Sequence, residues 1–198
     1  GLCWAGNNSL YELLSTLGFI TYRALATMST AENASPDHGT VVVCFGEKKY
    51  LVDASILHSD PLELNRSRDT DITHPAWRVR CSPTVSGWTL LTRFPHLPQG
   101  CECRLGDIGV GKQIFEKLNE ATRSRSPFND SLYFRLNRRE EVVAFAGGKR
   151  IYFHSDGSVQ EKICDTHSRH HFLIDEMKIS EEIITQLPKD RLTPSKHR

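Results

Sequence analysis

No stretch of this chain restricts its fold more than residues 40–57, which run TVVVCF, GEKK, YLVDASIL. Three consecutive valines are stiff at χ1 and suit a pleated, buried strand better than a helix. The second apolar run follows a glycine-containing tetrapeptide, so the whole reads as two antiparallel strands joined by a tight turn. A turn centred near residues 45/46 sets His38 opposite Asp53 at one end of this hairpin, where opposed side chains stand ~4.5–5.5 Å apart. An aspartate that follows Tyr50, Leu51 and Val52 is not surface decoration, because an unpaired carboxylate is rarely placed beside buried apolar residues.

The rest of the chain supplies two kinds of element. In NSLYELLSTLGF (8–19), Leu10, Leu13, Leu14 and Leu17 recur at helical spacing and Gly18 ends the run. Residues 29–39 are polar and hold Pro and Gly, which makes them a loop. Residues 60–76 are mixed and polar. WRVRC, WTLLTRF and CECRL read as short strands, KQIFEKLNEATRSR as a helix, and LYFRLNR, EEVVAFAGG, KRIYFHSDGS and VQEKICD as four more strands with Gly-rich turns. SEEIITQL closes the pattern with a capping-box start at Ser180, and a frayed basic tail follows. Phe128, Tyr133, Phe134, Phe145, Tyr152 and Phe153 have strand spacing and read as core. The class is α+β. We divide it into a nucleophile helix and barrel core over 1–105, and a linker, helix, second sheet and C-terminal helix over 106–198, packed as one compact unit.

With 198 residues, 38% of them hydrophobic, the chain can bury a full core. A formal net charge of +1 suggests no nucleic-acid partner. No apolar run approaches the ~18 residues of a membrane span, and residues 1–7 are not a signal peptide. The six cysteines lack the spacing of a disulfide framework, which favours free thiols in a reducing, cytoplasmic setting. Gly1 need not be a natural start.

Cys3 stands at the doorstep of the first helix. There the helix dipole and free backbone N–H groups favour thiolate and can hold an oxyanion beside the sulfur. A nucleophile needs a base and a group to orient that base, and His38 with Asp53 supplies both. From spacing alone a plainer reading stays open: Cys3 buried, His38 a loop residue, Asp53 a strand-end cap. Two other patterns carry less. GDIGVGK (106–112) matches a phosphate loop only as far as its lysine, since Gln113 replaces the Mg²⁺-binding hydroxyl. Cys101, Cys103, Cys164, His167, His170 and His171 offer zinc ligands at unusual spacing, and we expect no metal.

GLCWAGNN resembles the arylamine N-acetyltransferase motif Arg-Gly-Gly-x-Cys-x-(Glu/Gln)-x-Asn, with Gly1, Cys3 and Asn7 on its second Gly, its Cys and its Asn. HGTVVVCFGEKKYLVDASIL is similar to that family's block in which a histidine opens a strand and YLVDVGFG or YIVDAGFG follows. PLEL, IFEKLNEATRSRSPF and GKRIYFHSDGSV extend the likeness, more weakly, over most of the chain. The resemblance implies a papain-like or transglutaminase-like cysteine fold, with a nucleophile helix on an antiparallel β-barrel, then a sheet and a helical lid. It implies ping-pong acyl transfer in which Cys3 takes the acyl group from acetyl-CoA, His38 moves the protons and Asp53 orients the imidazole. The acceptor is then an amine, on a small molecule or a protein, with Trp4, Ser55, Ile56 and Leu57 near the substrates.

This sequence also departs from the pattern. Ala5 stands where the family has an acidic or amide residue, and Ser55-Ile56-Leu57 replaces Gly-Phe-Gly. The family's N-terminal helical domain has no counterpart before Gly1, which leads us to expect an open side covered by a partner or a removed segment. A larger acceptor and weak activity on simple arylamines follow from that expectation. The alternative for the same three residues is a cysteine protease, deamidase or transglutaminase-like effector, delivered into another cell, and a third is a binding module with a vestigial triad.

Overall fold

The structure, a computed structural model, describes residues 2–28, 34–57, 59–94, 97–123, 126, 129 and 132–187. It forms two compact units, Gly1–Ser126 and Pro127–Arg198. The helix that follows the barrel packs Phe115 on Trp4 and Leu25 within the first unit.

The first unit opens with α1 (Leu2–Thr16), followed by β1 (Ile20–Thr27), β2 (His38–Phe45), β3 (Lys48–Val52), β4 (Leu62–Glu63), β5 (Thr70–Thr73), β6 (Arg78–Pro83), β7 (Trp88–Phe94) and β8 (Leu97–Ile108), and ends with α2 (Lys112–Arg123). All eight strands join one antiparallel sheet in the order β4-β3-β2-β1-β8-β7-β6-β5. Its two ends meet, since the Thr70 hydroxyl on β5 donates to the Glu63 carbonyl on β4 at 2.5 Å. The sheet is thus a nearly closed barrel, which leaves few unpaired edges.

The hairpin forms with a shorter turn than its sequence suggests. Phe45 pairs with Lys48, and Gly46 takes φ 59° in a two-residue connection whose twist suits antiparallel strands. The pairing is consequently displaced by two residues: Val41 faces Val52, and Asp53 lies diagonal to His38. A slip by an even number keeps every side chain on its own face, so His38 and Asp53 still share one.

β1 escapes the sequence patterns because Arg23, Ala24, Leu25 and Ala26 are all buried, without alternation. A central strand covered on both faces shows no period of two. The α1 leucines also behave differently from their spacing: Leu13 and Leu17 are 56% and 64% exposed, while Trp4 and Asn7 carry the burial. Arg23 of β1 fixes the helix, bonding Asn8 Oδ1 at 2.9 Å and Glu12 at 2.6 Å and lying 3.7 Å over the Tyr11 ring. The segment 106–112 is no phosphate cradle: the N–H groups of Gly109 and Val110 both donate to the Arg23 carbonyl.

In the second unit β9 (Tyr133–Asn137), β10 (Val142–Ala146), β11 (Lys149–Phe153) and β12 (Val159–Ile163) form an antiparallel sheet in the order β12-β11-β10-β9. α3 (Thr166–His171), a π-helical turn (Phe172–Glu176) and α4 (Glu181–Thr185) follow. Leu132, Val143, Phe145, Phe172, Leu173 and Ile184 make its core, with Phe134 and Tyr152 packed against it. Phe153 is also buried, whereas Phe128 lies outside the described residues, as do 29–33 and the tail 188–198. Ser180 occupies the N-cap of α4, but its side chain makes no capping bond. No described helix is long and apolar enough to cross a membrane.

Candidate active site

Three segments distant in sequence converge on Cys3. The first is α1 itself, whose opening turn contains the cysteine. Trp4 holds that turn in place: it is 1% exposed and meets Phe115 of α2 edge-on, with ring centroids 4.8 Å apart. The second is β2, which begins at His38, buried and paired in register with Ala26 of β1. The third is the turn after β3, which starts at Asp53.

His38 Nε2 and Asp53 Oδ2 are 2.8 Å apart, with both side chains almost wholly buried. The other carboxylate oxygen accepts from the backbone N–H of Ser55 (2.8 Å), the Ser55 hydroxyl (2.7 Å) and the N–H of Ile56 (2.9 Å). Asp53 is therefore saturated with donors and winds its own turn around itself. With Nε2 engaged, the remaining imidazole nitrogen serves Cys3, whose sulfur is hydrogen-bonded to His38 and to the Gly39 backbone N–H.

The electrostatics follow from burial and these contacts. Burial pushes the Cys3 thiol up, but the hydrogen bond and positive charge of His38 outweigh it and hold the pKa below the ordinary thiol value. Burial works against the imidazolium of His38, yet the Asp53 carboxylate raises its pKa well above the usual 6.5. Burial likewise opposes ionisation of Asp53, and the adjacent imidazolium holds its carboxyl far below the usual range. Other thiols move the opposite way: burial pushes Cys81 up to about 11, and raises Cys101 and Cys103 as well. Such an arrangement can carry a thiolate beside an imidazolium at neutral pH, the state from which a cysteine attacks a carbonyl.

Asn7, one turn beyond Cys3 and fully buried, donates from Nδ2 to the Gly39 carbonyl at 2.6 Å. Its Oδ1 accepts from the Ala54 N–H at 2.9 Å. Gly39 is required sterically, since a Cβ there would lie 2.3 Å from the Trp4 ring and 2.5 Å from that of Phe115. Trp77 donates its indole N–H to the Ile56 carbonyl at 2.8 Å and braces the aspartate turn. The sequence reading gave no role to Gly39 or Trp77, and matched Asn7 to the motif without one. For Asn7 a signal exists, because a polar residue four beyond Cys3 shares its helix face.

The residues expected beside the substrates lie next to the Cys3–His38–Asp53 cluster in sequence and are largely buried. Trp4, Ile56 and Leu57 are 1%, 1% and 5% exposed, and the Ser55 hydroxyl is bonded to Asp53. The turn wound around the Asp53 carboxylate carries Ser55 and Ile56, whose N–H groups donate to Oδ1. Among the described residues no three or more His, Cys, Asp or Glu side chains form a group able to hold a metal.

A helix that opens on a cysteine and packs on an antiparallel barrel, with Cys, His and Asp brought together in that order, has the architecture of a papain-like cysteine fold. Residues 1–97, from α1 into the first residue of β8, match the family model described as N-acetyltransferase, and the chain is arylamine N-acetyltransferase-like. Its fold is similar to that of Mycobacterium marinum arylamine N-acetyltransferase in complex with CoA, at 16% identity and TM-score 0.75, covering 92% of this chain and 70% of that one. The M. tuberculosis arylamine N-acetyltransferase is similar at 17% identity and TM-score 0.72, covering 92% and 71%. A Bacillus cereus arylamine N-acetyltransferase, noted for a Cys-His-Glu catalytic triad, is similar at 17% identity and TM-score 0.64, covering 89% and 72%. No curated protein sequence matches the chain.

Proposed function

We propose that the chain transfers an acetyl group from acetyl-CoA to an amine through a thioester on Cys3. The observation that carries this reading is the buried His38–Asp53 contact of 2.8 Å, with the imidazole hydrogen-bonded to a thiol in the first turn of a helix. The thiolate of Cys3 attacks the thioester carbonyl, and the C–S bond to CoA breaks as His38 gives its proton to the departing sulfur. The incoming amine then attacks acetyl-Cys3, His38 accepts the amine proton, and the Cys3 thiolate leaves. Asp53 stays ionised throughout and keeps the imidazole oriented. The CoA complex of the M. marinum relative supports the choice of donor, and the family match over residues 1–97 supports the acyl transfer. Arylamines are the acceptor class to test first.

The test is direct. Incubation with acetyl-CoA alone should add the mass of one acetyl group to the intact chain, located on Cys3 and absent from the Cys3→Ser variant. Addition of an aniline should discharge it. An unmodified chain that instead cleaves or deamidates a protein substrate would replace acyl transfer by the amide-bond chemistry of the same three residues.

A further inference from the structure

Each hydrogen bond of the Asn7 carboxamide goes to the backbone of the residue after a site residue: Gly39 follows His38, and Ala54 follows Asp53. The helix face that presents Cys3 thus also holds the segment of the base and the segment of its orienting carboxylate. Gly39 is gripped from both ends, its N–H by the Cys3 sulfur and its carbonyl by Asn7 Nδ2. The two partners also fix which way the amide points, since a carbonyl demands a donor and an N–H demands an acceptor.

We infer that Asn7 is a positioning residue: its carboxamide sets the placement of His38 and Asp53 relative to the Cys3 sulfur. The inference rests on the reading of Cys3 as nucleophile. No other natural side chain of the same shape supplies one donor and one acceptor in these directions. A carboxylate there keeps the bond from the Ala54 N–H but turns an oxygen lone pair on the Gly39 carbonyl. The strand carrying His38 is then pushed from the helix, and a misplacement of ~1 Å at such a site costs roughly 100-fold in rate. Protonation of the new carboxyl restores a donor. The titratable groups on the elements it joins are Cys3 on the same helix, His38 on β2 and Asp53 after β3, and Arg23 of β1 is paired to Glu12. Burial favours the neutral form.

The experiment measures the rate at which iodoacetamide alkylates Cys3 in the full chain, for the parent, Asn7→Asp and Asn7→Ala, across acidic to neutral pH. The expected result for Asn7→Asp is a rate relative to parent at least 10-fold down at neutral pH that recovers as pH falls. Asn7→Ala should be slow at every pH without recovery, while far-UV circular dichroism matches the parent. A folded Asn7→Asp chain with a ratio near one, or depressed equally at all pH values, overturns the proposal. Loss of the fold in both variants also overturns it, making Asn7 a determinant of stability alone. A parent chain whose Cys3 reacts no faster than Cys44 refutes the nucleophile reading, and this proposal falls with it.

Discussion

Gly39→Ala tests the packing that fixes the helix start bearing Cys3. The added methyl would sit 2.3 Å from the Trp4 ring and 2.5 Å from that of Phe115, where ordinary contact begins at 3.4 Å. Each ring must therefore retreat by ~1 Å, yet both are at most 2% exposed and already touch one another. Neither is the flexible end of a long side chain. The backbone bonds of Gly39 survive in alanine, so the perturbation is purely steric. Overpacking of this kind costs about 3 kcal/mol, the upper part of the usual range. With a urea dependence of about 2–3 kcal/mol/M, the unfolding midpoint should drop by ~1–1.5 M. Because Trp4 adjoins Cys3, the same displacement should slow acetylation of Cys3 by ~10-fold or more. Phe115→Leu opens space beside the methyl, so in the Gly39→Ala background it should recover stability, with a coupling of about 1 kcal/mol or more in a double-mutant cycle. A Gly39→Ala unfolding free energy within about 0.5 kcal/mol of the parent, or strict additivity with Phe115→Leu, would refute the steric reasoning.

Two further outcomes follow from the charges. Iodoacetamide at limiting concentration should label Cys3 ahead of Cys81, Cys101 and Cys103, with an inflection below the ordinary thiol pKa of 9.0, as peptide mapping across pH will show. Asp53 has a depressed folded pKa, so its contribution to stability is present above the ordinary 3.8 and lost as pH falls through the folded value; His38 has a raised one, so its contribution is complete below 6.5 and lost as pH rises through the folded value. Urea midpoints should accordingly decline above pH 6.5 and in strong acid, and Asp53→Asn should flatten both limbs while lowering the rate of Cys3 acetylation by orders of magnitude; unchanged limbs would count against the ion pair.

The hairpin was legible because three valines and a glycine turn leave little else for residues 40–57 to do. Its register was not, since a two-residue and a four-residue turn both suit GEKK, but the displacement by two preserved the faces and with them the meeting of His38 and Asp53. Cys3 was legible as a residue at a helix start. The surface on which that helix packs was not: Leu13 and Leu17 mark an apolar stripe, yet the packed side carries Trp4 and a buried amide. Periodicity counts hydrophobic residues and has no means of weighting Asn7, whose burial depends on two carbonyl and amide partners more than thirty residues away. The burial of Ile56 and Leu57 was hidden for a related reason, because the chain turns around the Asp53 carboxylate three and four residues earlier. In the second unit the glycine turns announced four strands, whereas nothing in FLIDE distinguishes a π-helical turn from an ordinary one.

The His38–Asp53 pair is not explained by stability. Removing two ions from water costs several kcal/mol each, and a buried pair repays that only when geometry and extra hydrogen bonds are excellent. Here they are: one Asp53 oxygen takes three donors from Ser55 and Ile56, and the other takes the imidazole. A pair of apolar side chains in the same place would hold the barrel at least as well. What they would lack is direction. An imidazole fixed through Nε2 has only its other nitrogen to offer, and that nitrogen meets the one thiol whose helix start, backbone donor and charged neighbour all favour thiolate. Three segments of chain supply these groups, and Asn7 and Gly39 bind each segment to the others. Under the proposed acyl transfer the buried charge is the part that orients a reactive cysteine, and its cost is offset by the same hydrogen bonds that aim it.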